Sequence, residues 1–138
     1  MKTITLLYLI ILIIIPSIVL SAEEKKDAHP INVSIINLIS TPEKYHEKEI
    51  IIRGCATFKY EGDAKYLSEN DAKYGIRSNG IWLKVYKTPQ YKEYKKLHGK
   101  HIQVRGIFDM NMKGNRSAYA GTIKEITRIY KLLNLWKL

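Results

Sequence analysis

The feature that most constrains this chain is a stretch it uses twice. Residues 48–58 read KEIIIRGCATF and residues 100–109 read KHIQVRGIFD. Set 52 positions apart, Ile50 matches Ile102, Ile52 matches Val104, Arg53 matches Arg105 and Gly54 matches Gly106. The approach matches as well, Tyr45-His46-Glu47-Lys48 against Leu97-His98-Gly99-Lys100. Each copy reads as a strand. In the first, Ile50, Ile52, Ala56 and Phe58 share one face, and Arg53, Cys55, Thr57 and Lys59 share the other. A glycine in mid-strand marks a bulge, a bend or a close backbone approach. Two such strands are expected to frame one small closed β-structure.

The rest of the chain supplies partners for them. Ile31, Ile35, Leu38 and Ile39 have helical spacing, with Asn32 or Ser34 as a cap, so a brief helix is expected over 31–40. Thr41-Pro42-Glu43-Lys44 adds a capped turn. Residues 59–65 are polar and read as a turn, 66–68 as a short strand, and 69–80 as a loop. Residues 81–86 alternate strictly: Ile81, Leu83 and Val85 on one side, Trp82, Lys84 and Tyr86 on the other. Tyr91, Tyr94 and Leu97 place a short amphipathic helix over 90–97, and Gly99 ends it. Residues 111–116 read as a hairpin loop. Ile123, Ile126 and Ile129 suit a bulged or curved last strand over 119–131.

That order predicts a mainly β fold: a five-stranded OB-fold-like barrel with a short N-terminal helix and a helix between the third and fourth strands. The wording Pro42…Tyr45-His46…Lys48-Glu49-Ile50…Arg53-Gly54, then Ile81-Trp82-Leu83, then Leu97-His98-Gly99-Lys100-His101-Ile102…Val104-Arg105-Gly106 resembles small exported OB-fold proteins of bacteria. These group with anticodon-binding-like OB domains and are mostly uncharacterised. The resemblance covers about residues 31–131. It implies the barrel and export, and leaves the ligand open.

The chain begins as exported proteins do. Lys2 gives a positive start, residues 4–15 are almost wholly apolar, Pro16 interrupts, and residues 17–22 end in small side chains. This layout predicts a signal peptide over 1–22, cleaved after Ser21 or Ala22, and a periplasmic or secreted product. An uncleaved anchor is the rival, but the apolar run is short and broken for a span. After cleavage no stable membrane span is expected. Residues 23–30 are charged and read as a flexible lead. Residues 132–138, LLNLWKL, form an apolar tail, either a strand extension or a segment that docks on a partner or membrane.

Charge narrows the partners. The whole chain carries +10, and losing Lys2 with the leader leaves +9. Such a surplus favours anionic polymers or surfaces, although lysines also serve simply as solvated surface. Cys55 is the sole cysteine, so no internal disulfide forms. It is either a free or intermolecular thiol or a small buried hydrophobe.

The residues that suit ligand binding are Trp82, Lys84 and Tyr86 on the outward face of the middle strand, with Lys59, Tyr60 and Tyr66 nearby. Aromatic rings offer flat surfaces to bases or sugars, and lysines neutralise anions. Arg53 and Arg105, in equivalent places, are a possible anion clamp. His98 and His101, with His46 as a third ligand, are a weak metal candidate, against the simpler reading that His46 and His98 are one turn position used twice. No cofactor is expected, and no nucleophile motif, zinc-protease motif or phosphate-binding glycine loop occurs. A Cys55–His46 pair would span about 30 Å along an extended strand. Binding rather than catalysis is therefore expected, of an anionic polymer or a partner protein. The alternative is an envelope interaction protein that docks through its tail.

Overall fold

The two copies of the repeated stretch pair with each other. In the computed structural model, which describes residues 29–133, they form strands β2 (Glu49–Thr57) and β5 (His101–Asp109). They run antiparallel with Ile50 opposite Gly106, Gly54 opposite Ile102 and Ile52 directly opposite its equivalent, Val104. A local two-fold relation follows. Phe108 N–H donates to the Lys48 carbonyl at 3.1 Å, and Ala56 N–H donates to the Lys100 carbonyl at 2.9 Å. Glu47 N–H reaches the Phe108 carbonyl and Gly99 N–H the Ala56 carbonyl, both at 2.8 Å. The turns before the strands repeat too: Tyr45 N–H bonds Pro42 O, and Leu97 N–H bonds Tyr94 O. Glu47 (φ 56°) and Gly99 (φ 71°) hold the same left-handed backbone at the same place.

Four more strands complete the sheet: β1 (Ile31–Asn32), β3 (Ala64–Tyr66), β4 (Gly80–Leu83) and β6 (Thr122–Lys131). Neighbours run β2-β3-β4-β6-β5, and β5 closes back on β2. β4 meets β6 in parallel, and the other barrel pairs are antiparallel. The fold is thus a closed five-stranded mixed barrel of OB type, with β1 laid parallel on the edge of β2. Helix α1 (Ile35–Ser40) precedes the barrel, and α3 (Tyr91–Lys95) lies between its third and fourth strands, as expected from the sequence. A further helix, α2 (Glu69–Tyr74), lies between the second and third.

Several boundaries differ from expectation for identifiable reasons. α1 starts only at Ile35, because the Ser34 hydroxyl accepts the Asn37 N–H at 3.1 Å and the preceding residues join the ladder of β2. The short strand falls at 64–66 rather than 66–68. The segment read as a loop contains α2, capped by Ser68, whose oxygen accepts the Asp71 N–H at 3.0 Å while Gly75 (φ 66°) closes the far end. The third barrel strand stops at Leu83, yet Ile81, Leu83 and Val85 are buried together as the alternation requires. The last strand begins at Thr122, not Tyr119. Its curvature is a bulge: Arg105 pairs with Arg128 but Ile107 pairs with Lys124. Gly106 faces that bulge, where a Cβ would lie 2.6 Å from Ile123 Cγ2. The leader, the lead before His29 and the tail from residue 134 lie outside the described residues.

The barrel core is an apolar cluster that encloses a lysine. Ile50, Ile52, Ile81, Leu83, Ile102, Val104, Phe108 and Ile123 are fully buried between the barrel walls. Among them lies Lys65, with 0% exposure. Its amine donates to the carbonyls of Ile52 at 2.7 Å and Ile102 at 2.6 Å, one on each of the paired strands. Gly54 makes room for it: a Cβ there would sit 3.3 Å from Lys65 Cε and 2.4 Å from the Tyr66 carbonyl. Burial, aided by the nearby Arg53 charge, pushes the amine down to about 6. An uncharged amine has two N–H groups, and both are used.

Candidate functional site

In an OB barrel the second and third strands and the loops around them commonly form the ligand face. Here those strands are β3 and β4, and the loops are residues 58–63 and 110–121. Most of the outward face is covered by the chain itself. Tyr119 folds in from the second loop and is 3% exposed. Its ring lies 5.2 Å from Trp82 and 6.3 Å from Tyr66. Tyr66 is buried, and burial together with the Tyr119 hydroxyl raises its phenol pKa. Gly114 (φ 63°) lies against the Trp82 indole, 2.6 Å from where its own Cβ would stand. Trp82 is accordingly half-buried beneath the second loop.

Two clefts remain open beside this cover. The first, about 360 Å³, lies between the loops and is lined by Tyr60, Glu61, Asp63, Trp82, Tyr86 and Asn115. Its wall is held by Tyr91, whose hydroxyl donates to Asp63 Oδ1 at 2.9 Å and whose ring meets Tyr86 edge-on at 5.7 Å. Burial raises the Asp63 carboxyl and pushes the Tyr91 phenol up to about 12. The second cleft, about 490 Å³, is lined in part by Lys59, Arg77 and Arg116 together with Tyr60, Tyr74 and Tyr119, and it shares Glu61 and Asn115 with the first. Among the described residues none of these three cations has a carboxylate partner. Tyr60, 84% exposed, stands at the boundary of both clefts. So does a hydrogen bond across the loops, from Asn115 Nδ2 to Glu61 Oε2 at 2.9 Å.

The loops hold unusual backbone here. Glu61 (φ 53°), Arg116 (φ 57°) and Ser117 (φ 51°) are all left-handed without being glycine. Such conformations cost roughly 1–2 kcal/mol per residue. They concentrate where a side chain must be aimed.

The residues singled out from sequence divide between these places. Trp82, Tyr86, Lys59 and Tyr60 line the clefts. Lys84 is exposed but turns, with Tyr86, to a separate hollow beside α3. Arg53 and Arg105 do not form a clamp. Arg53 donates to Gln103 at 2.8 Å, while Arg105 binds Glu49 through two bonds of 2.7 and 2.9 Å. Each arginine is thereby engaged by a neighbour on the opposite strand. The histidines are not assembled as metal ligands either. His98 Nδ1 accepts the Phe58 N–H, His101 lies 3.5 Å from Glu69, and His46 Nδ1 accepts the Met110 N–H. His46 does gather with Glu47 and Asp109. The cation position there is already filled by Lys124, whose amine is 2.7 Å from Glu47 and 3.0 Å from Asp109. Cys55 is a buried strand residue, 3% exposed, and burial pushes its thiol pKa up, so little thiolate is available for reaction.

Arg77 and Arg116 went unnoticed in the sequence because they sit in turn segments with no pattern of their own. The available signal was positional: both flank the barrel's ligand-facing strands. The chain was compared with family models, curated proteins and solved structures, and none matches. Among the described residues no helix is long and apolar enough to cross a membrane.

Proposed function

We propose that this chain is an exported binding module that holds an anionic ligand between loops 58–63 and 110–121. The observation that carries the reading is the convergence of Lys59, Arg77 and Arg116 beside exposed tyrosines in one cleft. Cations without carboxylate partners attract anions, and a guanidinium recognises a carboxylate or phosphate through two parallel bonds. Tyr60 and Tyr74 add ring surface on which a planar or ring-shaped unit can lie. The leader-like start of the sequence supports export and a ligand outside the cytoplasm. Export argues against housekeeping work on tRNA or replicating DNA, and the fold alone does not assign such a role.

A heparin column tests this reading. The wild-type protein is expected to bind at low salt and elute with rising salt, as counterion release requires. The double variant Arg77→Ala/Arg116→Ala elutes at clearly lower salt, whereas Arg105→Ala, which removes one positive charge elsewhere, changes elution little. No retention at low salt, or equal loss in both variants, contradicts the site.

A further inference from the structure

Charge is distributed unevenly along the two clefts, and that unevenness selects among anionic ligands. The cations Lys59, Arg77 and Arg116 are confined to one cleft. No lysine or arginine lines the adjoining cleft, where Glu61 and Asn115, shared by both clefts, meet the rings of Trp82 and Tyr86 beside the buried Asp63, whose carboxylate accepts the Tyr91 hydroxyl. Resting on the anionic-ligand reading above, we propose that the ligand is an acidic oligosaccharide, carrying a carboxylate on some sugars and none on their neighbours.

A nucleic-acid strand fits this pattern poorly. It carries a phosphate on every nucleotide, so a strand crossing both clefts brings a phosphate past Glu61 into a cleft lined by no lysine or arginine. A sugar chain with alternating acids avoids that conflict. Its carboxylate binds the arginines in two-pronged fashion. The next, neutral sugar enters the adjoining cleft. There its hydroxyls donate to Glu61 and exchange hydrogen bonds with Asn115, and its C–H face lies on Tyr86 or Trp82. The Glu61–Asn115 bond stands at the boundary of the clefts, where these hydroxyls arrive. Tyr60, shared by both clefts, separates the acidic sugar from the neutral one.

The test compares a hyaluronan hexasaccharide, in which every second sugar is a uronate, with a thymidylate hexanucleotide and with the neutral hexamer of N-acetylglucosamine. Affinity is read by calorimetry and by Trp82 fluorescence in a Trp136→Phe background, which leaves one indole. The hyaluronan oligosaccharide is expected to bind at least tenfold more tightly than either competitor and to change Trp82 emission. Arg77→Ala/Arg116→Ala lowers its affinity tenfold or more. Glu61→Gln weakens the sugar and strengthens the hexanucleotide, opposite changes that a general folding defect does not produce. A hexanucleotide that binds as tightly as the sugar overturns the oligosaccharide proposal and leaves the anionic site standing. Equal binding of the neutral N-acetylglucosamine hexamer removes the role of the cations. Failure of all three ligands together with failure on heparin removes both readings.

Discussion

His46 and His98 perform one task at opposite ends of a single strand pair. His98 Nδ1 accepts the backbone N–H of Phe58 at 3.1 Å, and His46 Nδ1 accepts that of Met110 at 3.3 Å. Phe58 and Met110 are themselves equivalent positions in the two copies. Each histidine at the start of one copy therefore caps the chain just past the end of the other. In both, the accepting nitrogen is Nδ1.

Removing either cap should weaken the barrel modestly. A neutral hydrogen bond contributes about 1 kcal/mol net. His46→Ala and His98→Ala are each expected to lower stability by about that amount, as measured by urea denaturation. The two sites lie at opposite ends of the ladder, so the double variant should show the sum. A change near zero in both single variants contradicts the capping role.

The two repeat glycines should be far less replaceable than the turn glycine Gly99. At Gly54 a Cβ would stand 2.4 Å from the Tyr66 carbonyl, and at Gly106 2.6 Å from Ile123 Cγ2 and 2.8 Å from the Lys124 carbonyl. Backbone cannot move aside as a side chain can, so Gly54→Ala and Gly106→Ala should each cost about 3 kcal/mol or more. At Gly99 a Cβ meets nothing within 4 Å, but φ is +71°. There the left-handed conformation sets the cost of Gly99→Ala at about 1 kcal/mol. Thermal or urea unfolding of the three variants gives the order directly.

Lys65 should make stability depend on pH in a specific direction. The folded amine is pushed down to about 6, whereas the ordinary value is 10.5. Between these values the unfolded chain holds a proton that the folded chain lacks, so stability rises with pH. The penalty is fully present below pH 6 and vanishes above pH 10.5. At pH 7 it is on the order of several kcal/mol. Urea midpoints at pH 6.5, 7.5 and 8.5 should climb in the wild-type protein, and Lys65→Met should flatten that climb. An unchanged slope in the variant contradicts an uncharged Lys65.

Much of the architecture was legible because it is written in repeated or periodic residues. Gly54 and Gly106, with isoleucine or valine spaced by two on either side, placed the paired strands, and the Tyr91/Tyr94/Leu97 spacing placed the helix between the third and fourth. Lys65 was not legible. Lysine is almost never fully buried, so Gly62-Asp63-Ala64-Lys65 read as a polar turn. Only the absence of a side chain at Gly54, eleven residues earlier, opens the space it fills. α2 was missed although its Ser68 cap, its Asp71 and its Gly75 terminator are all present. Six residues are too few for helical periodicity to appear. The clefts were half legible. Trp82, Tyr86, Lys59 and Tyr60 follow from strand alternation and loop placement, but Arg77 and Arg116 converge only once the barrel closes.

Amide chemical-shift mapping tests the central claim most directly. In a titration of ¹⁵N-labelled protein with a size-defined heparin oligosaccharide, the binding account predicts shifts concentrated at residues 59–62, 75–77, 82–86 and 114–119. The amides around Arg53, Arg105 and Lys124, whose cationic side chains are held by neighbouring groups, should stay nearly still. Shifts spread evenly over every lysine and arginine, or centred on that opposite set, would contradict a built site between the loops.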